Sequence, residues 1–265
     1  GNTVNRLLTT GLVVAVVALT FAPSIRGADF EWEFEPIDAV EVTNPPIPNV
    51  DVQLMVDDDS VEGDFGVGGS LAQQFLWFNR FSPNLSTPIR LNEIWVLFPA
   101  GPNMTVGADV QLVVYHDPDG DPSNGADFVA SFSETIQSVD GDTFSVYPLA
   151  NPLEFDQAGD ILIGVVNRFV VSGVTTTTRP AAMDNTASQG RSWLAVWTGD
   201  PADPPVLPAD SIYQTIDGFV AGNWMIRAFG DQLQVPAIPA QTNHGLLVLL
   251  SLLALTGVML IRRST

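Results

Sequence analysis

The chain has 265 residues, with 30 acidic side chains against 10 basic ones and a formal net charge of −20. It has no cysteine, which excludes disulfide staples, thiol catalysis and thiolate metal sites. Every basic residue is arginine, so Schiff-base lysine chemistry is excluded as well.

Arg6 precedes an apolar block from Leu7 to Phe21, followed by Pro23, Ser24 and small residues. That order is the order of a secretory signal peptide, here residues 1–27. Residues 28–49 form an acidic, Pro-rich segment. Its acids Asp29, Glu31, Glu33, Glu35, Asp38 and Glu41 alternate with Phe30, Trp32, Phe34, Ile37 and Val40. The segment reads most simply as a disordered linker, with a short edge strand as the alternative.

From residue 50 to 231 the signal is β throughout. Short runs of Val, Ile, Phe and Trp are separated by Gly, Pro, Asn and Asp clusters. The runs predict strands over 50–56, 73–78, 89–98, 110–115, 128–136, 143–147, 161–169, 191–197 and 223–229. Residues 128–136 alternate cleanly and read as a half-exposed strand, whereas 94–98 and 161–166 are apolar on both faces and belong at the centre of a sheet. Asp140-Gly141 predicts a tight hairpin turn. No helical periodicity appears. The span suits one all-β domain of two packed antiparallel sheets, closer to a jelly roll than to an immunoglobulin sandwich in size.

The chain then runs through a linker over 232–244 into residues 245–261, which carry no charge. As a helix this run spans about 25 Å, at the lower limit for crossing roughly 30 Å of hydrocarbon. Arg262 and Arg263 follow at once, and arginine beside an apolar span stays cytoplasmic. The expected layout is therefore a signal peptide, an exported domain, a transmembrane helix and a short cytoplasmic tail over 262–265. All 30 acidic residues lie in the exported part. Such a surface repels nucleic acid.

Ile238-Pro239, a glycine at Gly245, an apolar helix and the terminal pair Arg262 and Arg263 resemble the C-terminal sorting domains of exported bacterial proteins. The IPTL-CTERM type is the most similar kind and the PEP-CTERM type a relative. The resemblance implies handling by a membrane sorting or processing protease; a plain single-pass anchor is the alternative. Within the exported part, Asn79-Arg80-Phe81-Ser82-Pro83, Ser188-Gln189-Gly190-Arg191-Ser192-Trp193 and Gly222-Asn223-Trp224-Met225-Ile226-Arg227, with the loop beginning at Tyr115, also look like a module of exported bacterial proteins with such tails. That likeness implies a β-sandwich and export and brings no activity.

Several residue groups could carry chemistry. Asp117, Asp119, Asp121, Asn124 and Asp127 lie on one loop with Gly120, and alternate carboxylates can converge on a hard cation such as Ca2+. The alternative for that loop is ordinary turn chemistry. Asp57, Asp58, Asp59, Glu62 and Asp64 form a second acidic cluster, expected to be a solvated loop. His116 is the exported part's one histidine; without a Gly-x-Ser-x-Gly elbow it reads as a strand-end histidine bonded to a neighbouring carboxylate rather than as a triad member. Trp193 and Trp197 share a face with Arg191 and could meet a carbohydrate, against a core-packing alternative.

These features predict a non-catalytic protein of the bacterial cell surface or envelope, sorted or anchored through its tail and stabilised by calcium. A carbohydrate-binding module is one alternative. A secreted glycoside hydrolase is the other, since paired carboxylates about 5–9 Å apart suffice for that chemistry.

Overall fold

The computed structural model describes residues 31–43, 45–68, 75–83, 87–101, 104–166, 178–197 and 201–233. The expected signal peptide, transmembrane helix and sorting residues Ile238, Pro239, Gly245, Arg262 and Arg263 lie outside them. Among the described residues no helix is long and apolar enough to cross a membrane.

The described chain is all-β, with two short 3-10 turns at Pro122–Asn124 and Ile216–Gly218. Its strands are β1 (Glu31–Glu41), β2 (Val52–Leu54), β3 (Ser60–Gly68), β4 (Phe75–Phe81), β5 (Ile89–Leu97), β6 (Asp109–Asp117) and β7 (Asp127–Thr135). They continue as β8 (Phe144–Phe155), β9 (Asp160–Val166), β10 (Thr178–Asp184), β11 (Ser192–Val196), β12 (Ile212–Thr215), β13 (Asn223–Trp224) and β14 (Ile226–Gln232). Three antiparallel sheets result: a six-stranded sheet in the order β12-β11-β4-β9-β6-β7, and four-stranded sheets β1-β3-β10-β13 and β2-β14-β5-β8.

The two sheets expected from sequence are thus three, yet a two-layer sandwich describes the packing. The two smaller sheets meet at Met225. Its N–H donates to Ala182 O of β10, and its carbonyl accepts from Leu97 N of β5. One continuous apolar core joins both small sheets to the large one. Leu112, Val114, Ile161, Ile163, Leu194 and Val196 of the large sheet belong to it together with Ile94, Val96, Ile226, Phe65, Met183 and Trp224 opposite.

The large sheet is also covered on its other face. Leu76, Phe78, Val113, Tyr115, Leu162 and Ala195 pack there against Leu207. Tyr115 Oη donates to Pro205 O at 2.7 Å, and Gln111 Nε2 donates to Asp203 Oδ1 at 2.6 Å, which fastens this strap to the sheet. Burial on both faces is why β9 is apolar from residue 161 to 166, as its sequence predicts. Gly164 lets β4 and β9 approach: a Cβ there would lie 2.5 Å from Phe78 Cβ and 2.6 Å from Trp77 O.

Three expectations need correction. First, the acidic segment before residue 50 is not a disordered linker along its whole length, because β1 pairs antiparallel with β3 from Glu31↔Gly68 to Glu41↔Ser60. Second, Asp140-Gly141 does turn the chain: Gly141 sits at φ +85°, and Asp140 Oδ1 accepts from Asp142 N and Thr143 N. It closes no hairpin, however, since β7 pairs with β6 and β8 pairs with β5. Turn chemistry dictates a reversal but not which strand receives the chain.

Third, the Asp57–Asp64 cluster is not a solvated loop. Asp57, Glu62 and Asp64 are buried. The Asp57 carboxylate is bound by the fully buried Arg227 guanidinium, with Nε 3.1 Å from both oxygens. Arg227 also lies 4.5 Å over the Phe144 ring. Asp64 pairs with Arg179 Nε at 2.5 Å, and Glu62 Oε2 accepts from Asn185 N at 3.0 Å.

Candidate functional site

The β6–β7 hairpin carries the loop singled out from sequence, and the two strands pair antiparallel as that reading requires. Asp117 ends β6 and is only 1% exposed. Its Oδ1 accepts from Gly120 N at 3.1 Å, a turn that Gly120 permits with φ +73°. Asp119 Oδ1 accepts from Asp121 N at 3.0 Å, and Asp119 Oδ2 from Asn124 Nδ2 at 2.8 Å. Asp121 Oδ1 takes Ser123 N at 3.1 Å and Ser123 Oγ at 2.6 Å, capping the 3-10 turn. Asp127 opens β7 opposite His116.

The loop is braced from below. Asp160 of β9 lies in register with Asp117. Arg80 Nε stands 3.4 Å from Asp160 Oδ2, and Arg80 Nη1 donates to Gly120 O at 2.9 Å. The result is a polar pocket of about 370 Å³, lined by Asp117, Pro118, Asp119, Asn124, Gly125, Ala126, Asp127 and Leu207. Asp121 does not line it, because its carboxylate is turned to the cap. Among the described residues no three acidic or imidazole side chains are gathered around a ready-made metal position.

Burial, and then the neighbouring Asp119 carboxylate, push the Asp117 carboxyl from its ordinary 3.8 up to about 6. The folded state holds this proton more tightly than the unfolded chain does. The contribution to stability is therefore complete below 3.8 and is lost as pH rises towards about 6. Asp117→Asn removes the titrating group. Thermal melts from about pH 4 to pH 7 should show the wild-type protein losing stability relative to this variant as pH rises. A constant difference across that window would contradict the assignment.

The other singled-out residues are placed as follows. His116 is half-buried, with Nε2 3.1 Å from Ala158 O. Its partner is a backbone carbonyl and not the expected carboxylate, because Asp117 and Asp160 both point to the opposite face of the strand pair. Trp193 is half-buried and forms a three-ring cluster with Phe78 and Tyr213, with ring centroids 6.2 and 5.4 Å away and 6.1 Å between those two. Trp197 lies against the same cluster. Arg191 Nη1 donates to Ser82 Oγ at 2.7 Å. Arg191 and Trp193 are thus engaged within the fold, and Trp77, Trp95 and Trp224 are fully buried.

A buried polar junction escaped the sequence reading. Asn79 Nδ2 donates to Trp224 O at 2.8 Å and to Ile226 O at 3.0 Å. Ser192 Oγ donates to Asn79 Oδ1 at 2.6 Å and accepts from Trp224 N at 2.9 Å. Asn223 Nδ2 donates to Asp184 Oδ2 at 3.0 Å, and Asn223 Oδ1 accepts from Gln189 N at 2.9 Å. The segments quoted above for their likeness to an exported module, around Asn79, Ser192 and Asn223, converge here. The junction ties the large sheet to the opposite layer.

No protein-family model matches the chain, and no curated protein matches it. Two solved structures are similar over part of it. One holds the cysteine protease and lectin-like domains of Cwp84, a surface layer associated protein of Clostridium difficile, with 14% identity and a TM-score of 0.42 over 64% of this chain and 34% of that one. The other is the same clostridial cysteine protease after propeptide cleavage, with 14% identity and a TM-score of 0.41 over 61% of this chain and 36% of that one. The chain therefore spans about a third of the length of these structures. At this identity and score the likeness bears on neither activity nor partner.

Proposed function

We propose that the chain is a non-catalytic β-sandwich of the bacterial cell surface or envelope, exported through its N-terminal signal and held or sorted through its C-terminal tail. The observation that carries this reading is how the described side chains with chemical potential are used. Asp57 neutralises the buried Arg227 and Asp64 pairs with the partly buried Arg179, Asp184 serves the buried junction, and Asp160 braces a turn through Arg80. The large aromatic rings fill the core or stack on one another. Export is supported by the charge-free apolar blocks at each end and by a cysteine-free, strongly acidic middle. The chain crosses between the two layers at most of its connections, which supports the jelly-roll reading.

The same observation weighs against the two alternatives. Glycoside hydrolysis needs two carboxyl groups facing each other across an open cleft. Asp117 and Asp160 are neighbours, but Gly120 overlies Asp160, where an added Cβ would stand 3.6 Å from its Oδ2. A sugar platform needs an exposed ring, and Trp193 is half-buried in a cluster with Phe78 and Tyr213. The purified protein is expected to give no turnover on a panel of polysaccharides and no signal on a glycan array. Glycan cleavage abolished by Asp117→Asn or Asp160→Asn would overturn the reading.

A further inference from the structure

The hydrogen bonds of the β6–β7 loop account for every carboxylate oxygen of Asp119 and Asp121 needed to hold the turn. They do not account for Asp117. Its Oδ2 is buried and no donor reaches it; the Asp119 carboxyl approaches, but two carboxyls can bond only through a shared proton, and Asp117 lines the pocket. A buried carboxylate oxygen without a donor costs free energy that native structures rarely leave uncompensated. The surroundings worsen the cost, since Asp119 lies beside it and Asp160 directly across the strand pair. Arg80 reaches this end of the sheet but is committed to Asp160 and Gly120 O. The Tyr213 hydroxyl is buried nearby, also without a partner, and feels the Asp117 charge.

The pocket therefore concentrates negative charge around an unsatisfied oxygen and offers further oxygens at its rim. A hydroxyl donor would satisfy one atom and leave the charge. A hard cation satisfies both. We propose that this pocket binds a calcium ion, anchored by Asp117 Oδ2, with Asp119, the Asn124 side-chain carbonyl and water completing its shell. The site differs from the one read in the sequence by excluding Asp121 and Asp127, the latter lying in register with His116 on the opposite face of the strand pair. Calcium suits it better than magnesium, because irregular shells of six to eight oxygens are acceptable to calcium and not to magnesium. Since no three carboxylates are already gathered, much of the shell is water. The affinity then belongs to the weak class of extracellular modules, with Kd on the order of 10⁻⁴–10⁻³ M. The inference stands on this pocket alone and does not need the surface role proposed above.

The test is calorimetric titration of the full chain with calcium chloride at pH 7.5, paired with thermal melts. The wild-type protein should saturate in that range and melt at higher temperature with calcium. Asp117→Asn keeps the shape and removes the charge. It should fold at least as well without calcium and lose at least about tenfold in affinity, since one lost charge-assisted contact is worth about 1.4 kcal/mol or more. Glu154→Gln, on an exposed face of β8, should bind as the wild type does. Equal calcium affinity in wild type and Asp117→Asn would overturn the proposal. So would no binding up to about ten times the expected Kd, or magnesium binding as tightly as calcium.

Discussion

Replacing Arg227 by methionine is expected to lower the unfolding free energy by about 3–5 kcal/mol. Both members of the Arg227–Asp57 pair have side chains with 0% exposure. Burial alone works against an ionised arginine, yet the hydrogen bonds and charge of Asp57, then those of Asp59, hold the guanidinium protonated more firmly than usual. Removing the cation strands the fully buried Asp57 carboxylate without its partner, and removes the guanidinium that lies over the Phe144 ring. Asp59 is the lesser partner, because its side chain is 46% exposed and can turn to water. The double variant Arg227→Met with Asp57→Leu should recover most of the loss, since a well-packed apolar pair replaces a buried ion pair at little or no cost. Urea unfolding of the single and double variants reads this directly. Equal destabilisation in both would mean that the shape of the arginine, and not its charge, is what matters.

Asn79→Ala is the second large effect, expected at about 3 kcal/mol. The asparagine is fully buried and donates to two carbonyls on the far layer. Truncation leaves Trp224 O, Ile226 O and one bond of the Ser192 hydroxyl unsatisfied, and each buried orphan costs roughly 1–3 kcal/mol. A surface asparagine gives the contrast. Asn92 Nδ2 bonds the half-exposed Asp231 carboxylate at 2.9 Å, and Asn92→Ala should stay within about 0.5 kcal/mol of wild type. Chemical unfolding of both variants checks the pair. Asn79→Ala behaving like Asn92→Ala would show that the junction does not couple the two layers.

Local pattern made the central strands legible. The second half of β5 (residues 94–97), the middle of β6 (residues 112–115) and β9 after Asp160 are apolar runs, and β7 alternates as an edge strand should. What escaped are strands whose meaning depends on distant partners. β3 contains Glu62, Asp64, Gly63 and Gly66, a composition that reads as a loop. Its carboxylates are tolerable inside only because Arg179 reaches Asp64 and Asn185 N reaches Glu62. Asp57 waits for an arginine 170 residues later. β1 shows a period of two in its aromatic and acidic residues, but with Pro36 and five acids the run resembled a linker. Its Glu33 stands 3.7 Å from Arg179, a partner that no local window contains. Pro180 and small alanines hid β10, and β12 is too short to show a period.

The candidate site was legible in part. Turn chemistry and carboxylate spacing located the loop from Asp117 to Asp127. Sequence could not say which oxygen the turn would leave unsatisfied, because that depends on Asp160 and Arg80 arriving from β9 and β4. The quoted segments around Asn79, Ser192 and Asn223 were conspicuous for the same reason that made their role obscure. They are polar residues buried inside a sandwich and hydrogen-bonded within it.

Protease shaving of intact cells that produce the full chain, followed by immunoblotting against the acidic domain, bears most directly on the proposed surface role. The domain should be digested from outside while a cytoplasmic marker survives. Resistance in intact cells, with digestion only after lysis of the cytoplasmic membrane, would contradict it.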